Sequence, residues 1–243
     1  MGIMKKYLSF GGGVNSVAMM LMLLGQKDDF EAIFVDHGTD WPETYDYFEM
    51  FQGWLEENGH DPIIVLKPDV QGFENLYDYF HHYKMTPTVF KRLCTDKFKV
   101  TPIHKYVKTP CFMLIGMDFG EIKRAKISIT NGIEKRYPLI EHEIDREGCK
   151  KIIIAHGLPV PIRSVCYICP FQKKNQWREL RMAHPELFCK AEALEDRNME
   201  YRKSRGKKAL TLCCNGARLK TIVDENQMNL FEQDDYPPCQ CGL

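Results

Sequence analysis

Lys6-Tyr7-Leu8-Ser9-Phe10-Gly11-Gly12-Gly13-Val14-Asn15-Ser16 is the stretch that decides the fold. Lys6–Phe10 reads as a strand. Three glycines follow, then a helix from about Asn15 to Leu24, which holds the apolar run Val17–Leu24 and is closed by Gly25. A strand, a glycine turn and a helix in this order leave the first helical N–H groups pointing back at the turn. That arrangement binds phosphate or pyrophosphate through the backbone, and Ser9 and Ser16 add hydroxyl donors. The alternative is a plain strand–helix turn with Asn15 as the cap. No Gly-Lys-Ser/Thr follows, so this is not a Walker loop.

Downstream, the alternation repeats. Ala32–Val35 is a short apolar run ending in Asp36. Pro42 stands where a first-turn proline belongs, and Tyr45, Phe48, Phe51, Trp54 and Leu55 carry helical spacing as far as Asn58, with Gly59 as the stop. Ile63–Leu66 and Cys111–Ile115 read as two further strands, the second ending at Gly116. The β-α-β-α order predicts an α/β fold, a Rossmann-like parallel sheet with helices on both faces. Ligands of such sheets bind beyond the carboxyl ends of the strands, which here carry Gly11–Gly13, Asp36 and Gly116. Asp36 at such an end suits a ribose or a magnesium ion; alternatively Asp36 and Asp40 cap the following helix.

After Pro138 the pattern turns helical, with segments at Asp145–His156, near Asn175–Ala183 and at Pro185–Met199. We therefore expect an α/β domain over residues 1–140 and a smaller, helical, Cys-containing region over residues 141–243. The 243 residues suit one domain with such an appendage.

Lys+Arg and Asp+Glu number 33 each, so the chain lacks an overall basic footprint for nucleic acid, while leaving room for a local patch. No apolar run approaches the roughly 18 residues of a membrane span. With no secretory leader read at Met1–Phe10, the expected location is the cytoplasm, where thiols stay reduced. Ten cysteines then point to metal, cluster or redox chemistry. Cys166-Tyr167-Ile168-Cys169-Pro170 is a C-x-x-C suited to one metal, two corners of a cluster, or a redox pair. No second C-x-x-C exists, so further ligands must come from elsewhere. Cys94 is the best candidate, with Cys189, Cys213, Cys214, Cys239 and Cys241 in reserve. Cys111 and Cys149 read as buried structural thiols. Lys97, Lys99, His104, Lys123, Arg124 and Lys126 suit either anion binding or a solvated helix face.

Together these motifs resemble the PAPS reductase-like family of the adenine nucleotide alpha-hydrolase (PP-loop ATP pyrophosphatase) superfamily, in its iron–sulfur branch. Ser9–Ser16 resembles the family's Ser-x-Ser-Gly-Gly-x-Asp-Ser loop, and Val35–Thr44 its segment ending in Pro-Glu-Thr. Arg92-Leu93-Cys94-Thr95 with Lys99 and Pro102 resembles the segment with a cluster cysteine. Gly116-Met117-Asp118 through Glu121 and Arg124 resembles a Gly-x-Arg-x-x-Glu-x-x-Arg block. Tyr137–Glu141, Gly157-Leu158-Pro159 and Cys166–Pro170 resemble the ending of cluster-bearing members. The chain departs from the loop pattern in having Gly11 for serine, Val14 for lysine and Asn15 for aspartate.

The resemblance implies an adenine nucleotide, ATP or PAPS, with Mg2+. Ser9, Gly11, Gly12, Gly13, Asn15 and Ser16 would face the phosphates, and Asp36 and Gly116 would lie near the adenosine. It implies a 4Fe-4S cluster on Cys94, Cys166 and Cys169, with zinc as a substitute. Two chemistries follow. One is ATP-dependent sulfur transfer through an adenylated acceptor, releasing pyrophosphate and AMP, with a sulfur donor protein as partner. The other is sulfonucleotide reduction, in which Cys241 in Gln240-Cys241-Gly242-Leu243 attacks sulfur and a thiol reductant releases sulfite. Lys99 and Arg124 are the expected catalytic cations, and Lys123 and Arg124 the candidates to surround the Cys241 thiolate. A zinc-stabilised, nucleotide-binding module without catalysis is the third reading. The acceptor, whether nucleic acid or metabolite, and any oligomer are left open.

Overall fold

The computed structural model describes residues 4–126, 128–162, 164–213 and 216–224. Cys214, Cys239 and Cys241 lie outside them. The chain runs β1 (Lys5–Phe10), α1 (Val14–Gly25), β2 (Glu31–Val35), α2 (Pro42–Glu57), β3 (Ile64–Leu66) and α3 (Leu76–His82). A continuous irregular helix follows, built from α4 (Leu93–Thr95), a π-helical stretch (Asp96–Val100) and α5 (Thr101–Tyr106). Then come β4 (Cys111–Ile115), a 3-10 helix (Phe119–Arg124), β5 (Ile129–Thr130), β6 (Ile133–Arg136) and α6 (Pro138–Glu141). Helices α7 (Arg146–Ala155), α8 (Lys174–Ala183), α9 (Pro185–Ser204) and α10 (Leu219–Asp224) complete the described chain.

The sheet has the order β3-β2-β1-β4-β6-β5. All neighbours are parallel except β5 and β6, which pair antiparallel. This is the expected α/β, Rossmann-like architecture. Residue alternation explains how it is covered. Leu8 and Phe10 of β1, Ala32 and Phe34 of β2 and Leu114 of β4 enter one core with Val17, Met20 and Leu21 of α1 and Phe51 of α2. Their strand neighbours Tyr7, Ile33, Val35, Met113 and Ile115 enter a second core, which includes Ile103 of α5. Both faces are buried at the central strands β1, β2 and β4, so these strands read as nearly continuous apolar runs.

Cys149 and Ile153 of α7 belong to the first core, which therefore continues across residue 140. A third core joins Trp41, Leu76, Phe80 and Phe98 to Ile168, Trp177, Leu194 and Leu219. The C-terminal helices thus close over α3 and the irregular helix. The sequence reading passed over α3, the β5–β6 hairpin, α6 and α10. The alternative in which Asn15, Asp36 and Asp40 act as helix caps does not hold: Gly13 is the N-cap of α1 and Trp41 that of α2.

Register sets the functional edge. Ser9 is level with Ile33 on one side and Ile115 on the other. The sequence order of the strands reverses direction between β1 and β4, and ligands of open α/β sheets bind at such a switch.

Candidate functional site

The glycine loop leaves β1 at this switch. Gly12 has φ +69°, a left-handed conformation that favours glycine, and a Cβ there would stand 3.1 Å from Thr44 Cγ2. Gly13 caps α1 with no side-chain hydrogen bond, and the first turn carries no acidic residue. Among the described residues, no side chain caps the leading N–H groups of this helix. Ser16 turns its hydroxyl onto the Gly13 carbonyl at 2.9 Å. Ser164, from the segment after α7, donates to the Gly11 carbonyl and closes the loop from outside.

Gly116 ends β4 against this helix start. A Cβ at Gly116 would meet the Ser16 nitrogen at 3.0 Å and the Asn15 carbonyl carbon at 3.1 Å. Only glycine lets the two backbones approach so closely. Just beyond, a polar network ties the loop down. The Asn15 amide donates to Asp118 Oδ2 and to Glu121 Oε2, both at 3.0 Å, and its oxygen accepts from Arg146 at 2.7 Å. Arg124 pairs with Glu121. Burial raises the Glu121 carboxyl above its ordinary range even though Arg124 opposes the shift. Asn15 therefore braces the loop and leaves its backbone N–H groups to face an anion. Arg146 was invisible to motif reasoning, because an arginine on a helix surface has no local signal.

Asp36, at the end of β2, accepts from the Gly38 N–H and the Tyr45 hydroxyl, each at 2.9 Å. Burial, with Asp40 and Asp36 adding to it, pushes the Tyr45 phenol well up. The next residues pair with the C-x-x-C segment. Trp41 N–H donates to Val165 O and Tyr167 N–H to Thr39 O, making a short antiparallel bridge between Asp40 and Cys166. The Cys166 thiol donates to Thr39 Oγ1 at 3.0 Å. Thr39 in turn reaches His37 Nδ1 at 2.8 Å. His37 is fully buried, and desolvation lowers it to about 4, so it is neutral at pH 7. Among the described residues its Nε2 has no hydrogen-bond partner, and it stands 3.5 Å from Asp40 Oδ2.

Cys94, Cys166 and Cys169 are all free thiols, and all pack in the third core. Burial raises the Cys94 and Cys166 thiols, and a charge on Cys94 would raise Cys166 further. Lys99 acts on both Cys94 and His37, lowering each. Cys169 N–H donates to Cys166 O at 3.0 Å, which fixes the turn of the motif. Thiolates are the donors that iron–sulfur clusters and zinc favour, and these three share one core. Among the described residues, no group of three or more His, Cys, Asp or Glu side chains is arranged so that it could hold a metal ion. Of the reserve cysteines, Cys213 is buried in the same core and Cys189 is exposed. Cys111 and Cys149 are buried as expected, and burial pushes the Cys149 thiol up to about 12. Lys97 is held by the Tyr79 hydroxyl at 3.0 Å, and Lys123, Lys126 and His104 are exposed.

A cleft of about 500 Å³ opens beside the bridge, lined among others by Asp40, Tyr45, Asn75, Tyr77, Tyr167 and Lys190.

These features define a Rossmann-like α/β protein with a glycine-capped helix at the carboxyl edge of its sheet. The phosphoadenosine phosphosulfate reductase domain matches residues 5–132, more than half of the chain, and the chain belongs to that family. An uncharacterized protein of Methanocaldococcus jannaschii is 30% identical over 200 residues, covering 75% of this chain and 45% of its own length. The chain thus spans less than half of that relative. The solved structure of the U34-tRNA thiolase NcsA from Methanococcus maripaludis with its 4Fe-4S cluster aligns at a TM-score of 0.43 and 14% identity, over 96% of this chain and 84% of that one. Among the described residues, no helix is long and apolar enough to cross a membrane.

Proposed function

We propose that the chain is an ATP-dependent sulfur transferase that works through an adenylated acceptor. The observation that carries this reading is the Asp40–Cys166 bridge. It fastens the C-x-x-C segment to the same sheet edge that presents the glycine loop. Nucleotide activation and sulfur chemistry thereby share one end of the molecule.

In this reading the N–H groups of Gly12 to Ser16 hold the β- and γ-phosphates, with Mg2+ bound to the nucleotide. An acceptor oxygen attacks the α-phosphorus and pyrophosphate leaves. Charge grows on that leaving group, and fixed N–H dipoles stabilise it without reorganising. Sulfur at the hydrosulfide level then displaces AMP, which departs with the acceptor's oxygen, so no reductant is consumed. Cys94, Cys166 and Cys169 would hold a 4Fe-4S cluster, which when bound supplies an iron centre for sulfur. Lys99 supplies positive charge at Cys94, and Arg124 keeps Glu121 paired beneath the loop. Asn15 keeps the loop in register with the end of β4.

Family membership favours a second reading, sulfonucleotide reduction with Cys241 as the nucleophile. Sulfur release decides between them. The first reading expects pyrophosphate from ATP in the absence of PAPS, unaffected by deleting residues 239–243. Sulfite from PAPS or adenylyl sulfate, lost on Cys241→Ser, would replace it with the second. Absence of both products, with zinc bound in place of iron, would leave the non-catalytic module.

A further inference from the structure

The balanced net charge conceals a strong asymmetry along the chain. Residues 151–220 hold 15 Lys and Arg against six Asp and Glu. The excess is densest in Arg202-Lys203-Ser204-Arg205-Gly206-Lys207-Lys208, with five cations in seven positions and no carboxylate. Runs of this composition mark polyanion-binding patches when they lie on one exposed face. Lys203, Arg205, Lys207 and Lys208 are all exposed, and among the described residues none of them has a carboxylate partner.

The fold extends this run into a strip. Asn198 of α9 donates to the Lys84 carbonyl at 2.8 Å and Arg197 to the His81 carbonyl at 3.0 Å. These bonds fasten the loop after α3 to the end of α9. Lys84 Nζ and the Arg205 guanidinium both lie 5.2 Å from the centre of the Tyr201 ring. From Lys84 the loop runs through Phe90, which is 92% exposed, and Lys91 to Arg92. It contains no acidic residue. Arg92 packs over Phe171, which follows the C-x-x-C-P motif, and stands two residues before Cys94. Cations interleaved with rings thus lead from the end of α9 to the cysteine centre.

We infer that this strip is a docking surface for single-stranded nucleic acid, whose backbone lies on the cations and whose bases stack on the rings. Unpaired bases offer the flat faces that an exposed Phe90 fits, and phosphates answer a carboxylate-free run of lysine and arginine. An anionic lipid surface would call for several projecting apolar side chains, and in this loop Phe90 projects alone. The inference deepens the sulfur-transfer reading by naming the acceptor's class, and rests on that reading for the chemistry but not for the binding.

Fluorescence anisotropy on the full chain tests it, with labelled mixed-sequence RNA and DNA strands of roughly 20 nucleotides. Both strands report the shared chemistry, and tighter binding of RNA would add recognition of the 2′-hydroxyl. The expected affinity falls at least about tenfold between about 50 and about 200 mM salt. The triple reversal Lys203→Glu, Arg205→Glu, Lys207→Glu weakens it by at least about tenfold, and Phe90→Ala by roughly fivefold or more. ATP affinity, measured by calorimetry on the same variants, stays unchanged and shows that they are folded. Failure of the wild-type chain to bind either strand would overturn the inference, as would binding indifferent to the triple reversal. Capture by phosphatidylserine vesicles, with neither strand bound, would assign the strip to a membrane instead. If the strands bind but ATP yields no pyrophosphate, the docking surface stands and the sulfur-transfer reading falls.

Discussion

Asn15 and Asp118, 103 residues apart, meet at 3.0 Å where β1 hands over to α1 and β4 ends. Glu121 accepts the second amide proton, so a neutral donor is what this position requires. An aspartate at 15, the residue usual in the loop this chain resembles, would face two buried carboxylates. We expect Asn15→Asp to cost on the order of 2 kcal/mol at pH 7. Crowded carboxylates bind protons more tightly in the folded state, so the deficit shrinks as pH falls and is largest above neutrality. Denaturant titrations at several pH values check this; a deficit independent of pH would refute the mechanism.

Glycine positions in the site are not equivalent. At Gly116 a methyl group would press on the backbone of Ser16 and Asn15, neither of which can rotate away. Gly116→Ala should lower stability by about 1–3 kcal/mol and weaken ATP binding. At Gly11 nothing lies within 4 Å of an added Cβ, so Gly11→Ala should leave both nearly unchanged. Gly12→Val should abolish nucleotide binding in a folded protein, through strain at positive φ and pressure on Thr44 that displaces the loop. Calorimetry with ATP separates the three, and equal affinities would reject the loop as the anion site.

His37 makes stability sensitive to acid. Its ordinary value is 6.5 and burial lowers it to about 4 in the fold. The unfolded chain therefore takes up the proton first as pH falls. Stability contributed by the neutral imidazole is present above about pH 6.5 and lost down to about pH 4, by roughly 3 kcal/mol at most. His37→Gln should flatten this part of the pH–stability curve. Urea midpoints at pH 7 and near pH 4.5 give the comparison, and parallel curves for the two proteins would contradict it.

Metal content tests the thiol set. Anaerobically prepared protein should carry iron and sulfide, and aerobic material should carry zinc in its place. Cys94→Ser, Cys166→Ser and Cys169→Ser should each lower the metal content, while Cys149→Ser, in the other core, should not. A full complement in Cys94→Ser would remove that residue from the set.

Much of the sheet could be read from short apolar runs, because strands buried on both faces declare themselves by composition. The same holds for α1, α2 and α7, where Gly25, Pro42 and Asp145 mark the ends. The β5–β6 hairpin carried its own mark in Asn131-Gly132, a pair that favours tight turns, but its strands are only two and four residues long. Helix α3 is seven residues of mostly aromatic and histidine side chains, and Asn75, which caps it by accepting from Tyr77 N–H, was its one local sign. In the site, the glycine loop and the C-x-x-C were legible because each is contiguous. The bonds that place them were not: Thr39 to Cys166, Ser164 to Gly11 and Arg146 to Asn15 join residues more than a hundred positions apart. Such pairings exist only once the sheet has assembled.

The bridge between Asp40 and Cys166 also turns two amides into reporters. Trp41 and Tyr167 donate the hydrogen bonds that hold it, so their deuterium exchange measures how often the bridge opens. If filling the thiols slows exchange at these two amides, the gain is shared with the end of β2. If filling the thiols also tightens a ligand that grips Asp36, thermodynamic reciprocity requires that ligand to tighten the thiols by the same factor. The two ends of the bridge would constitute an allosteric pair, readable one amide at a time.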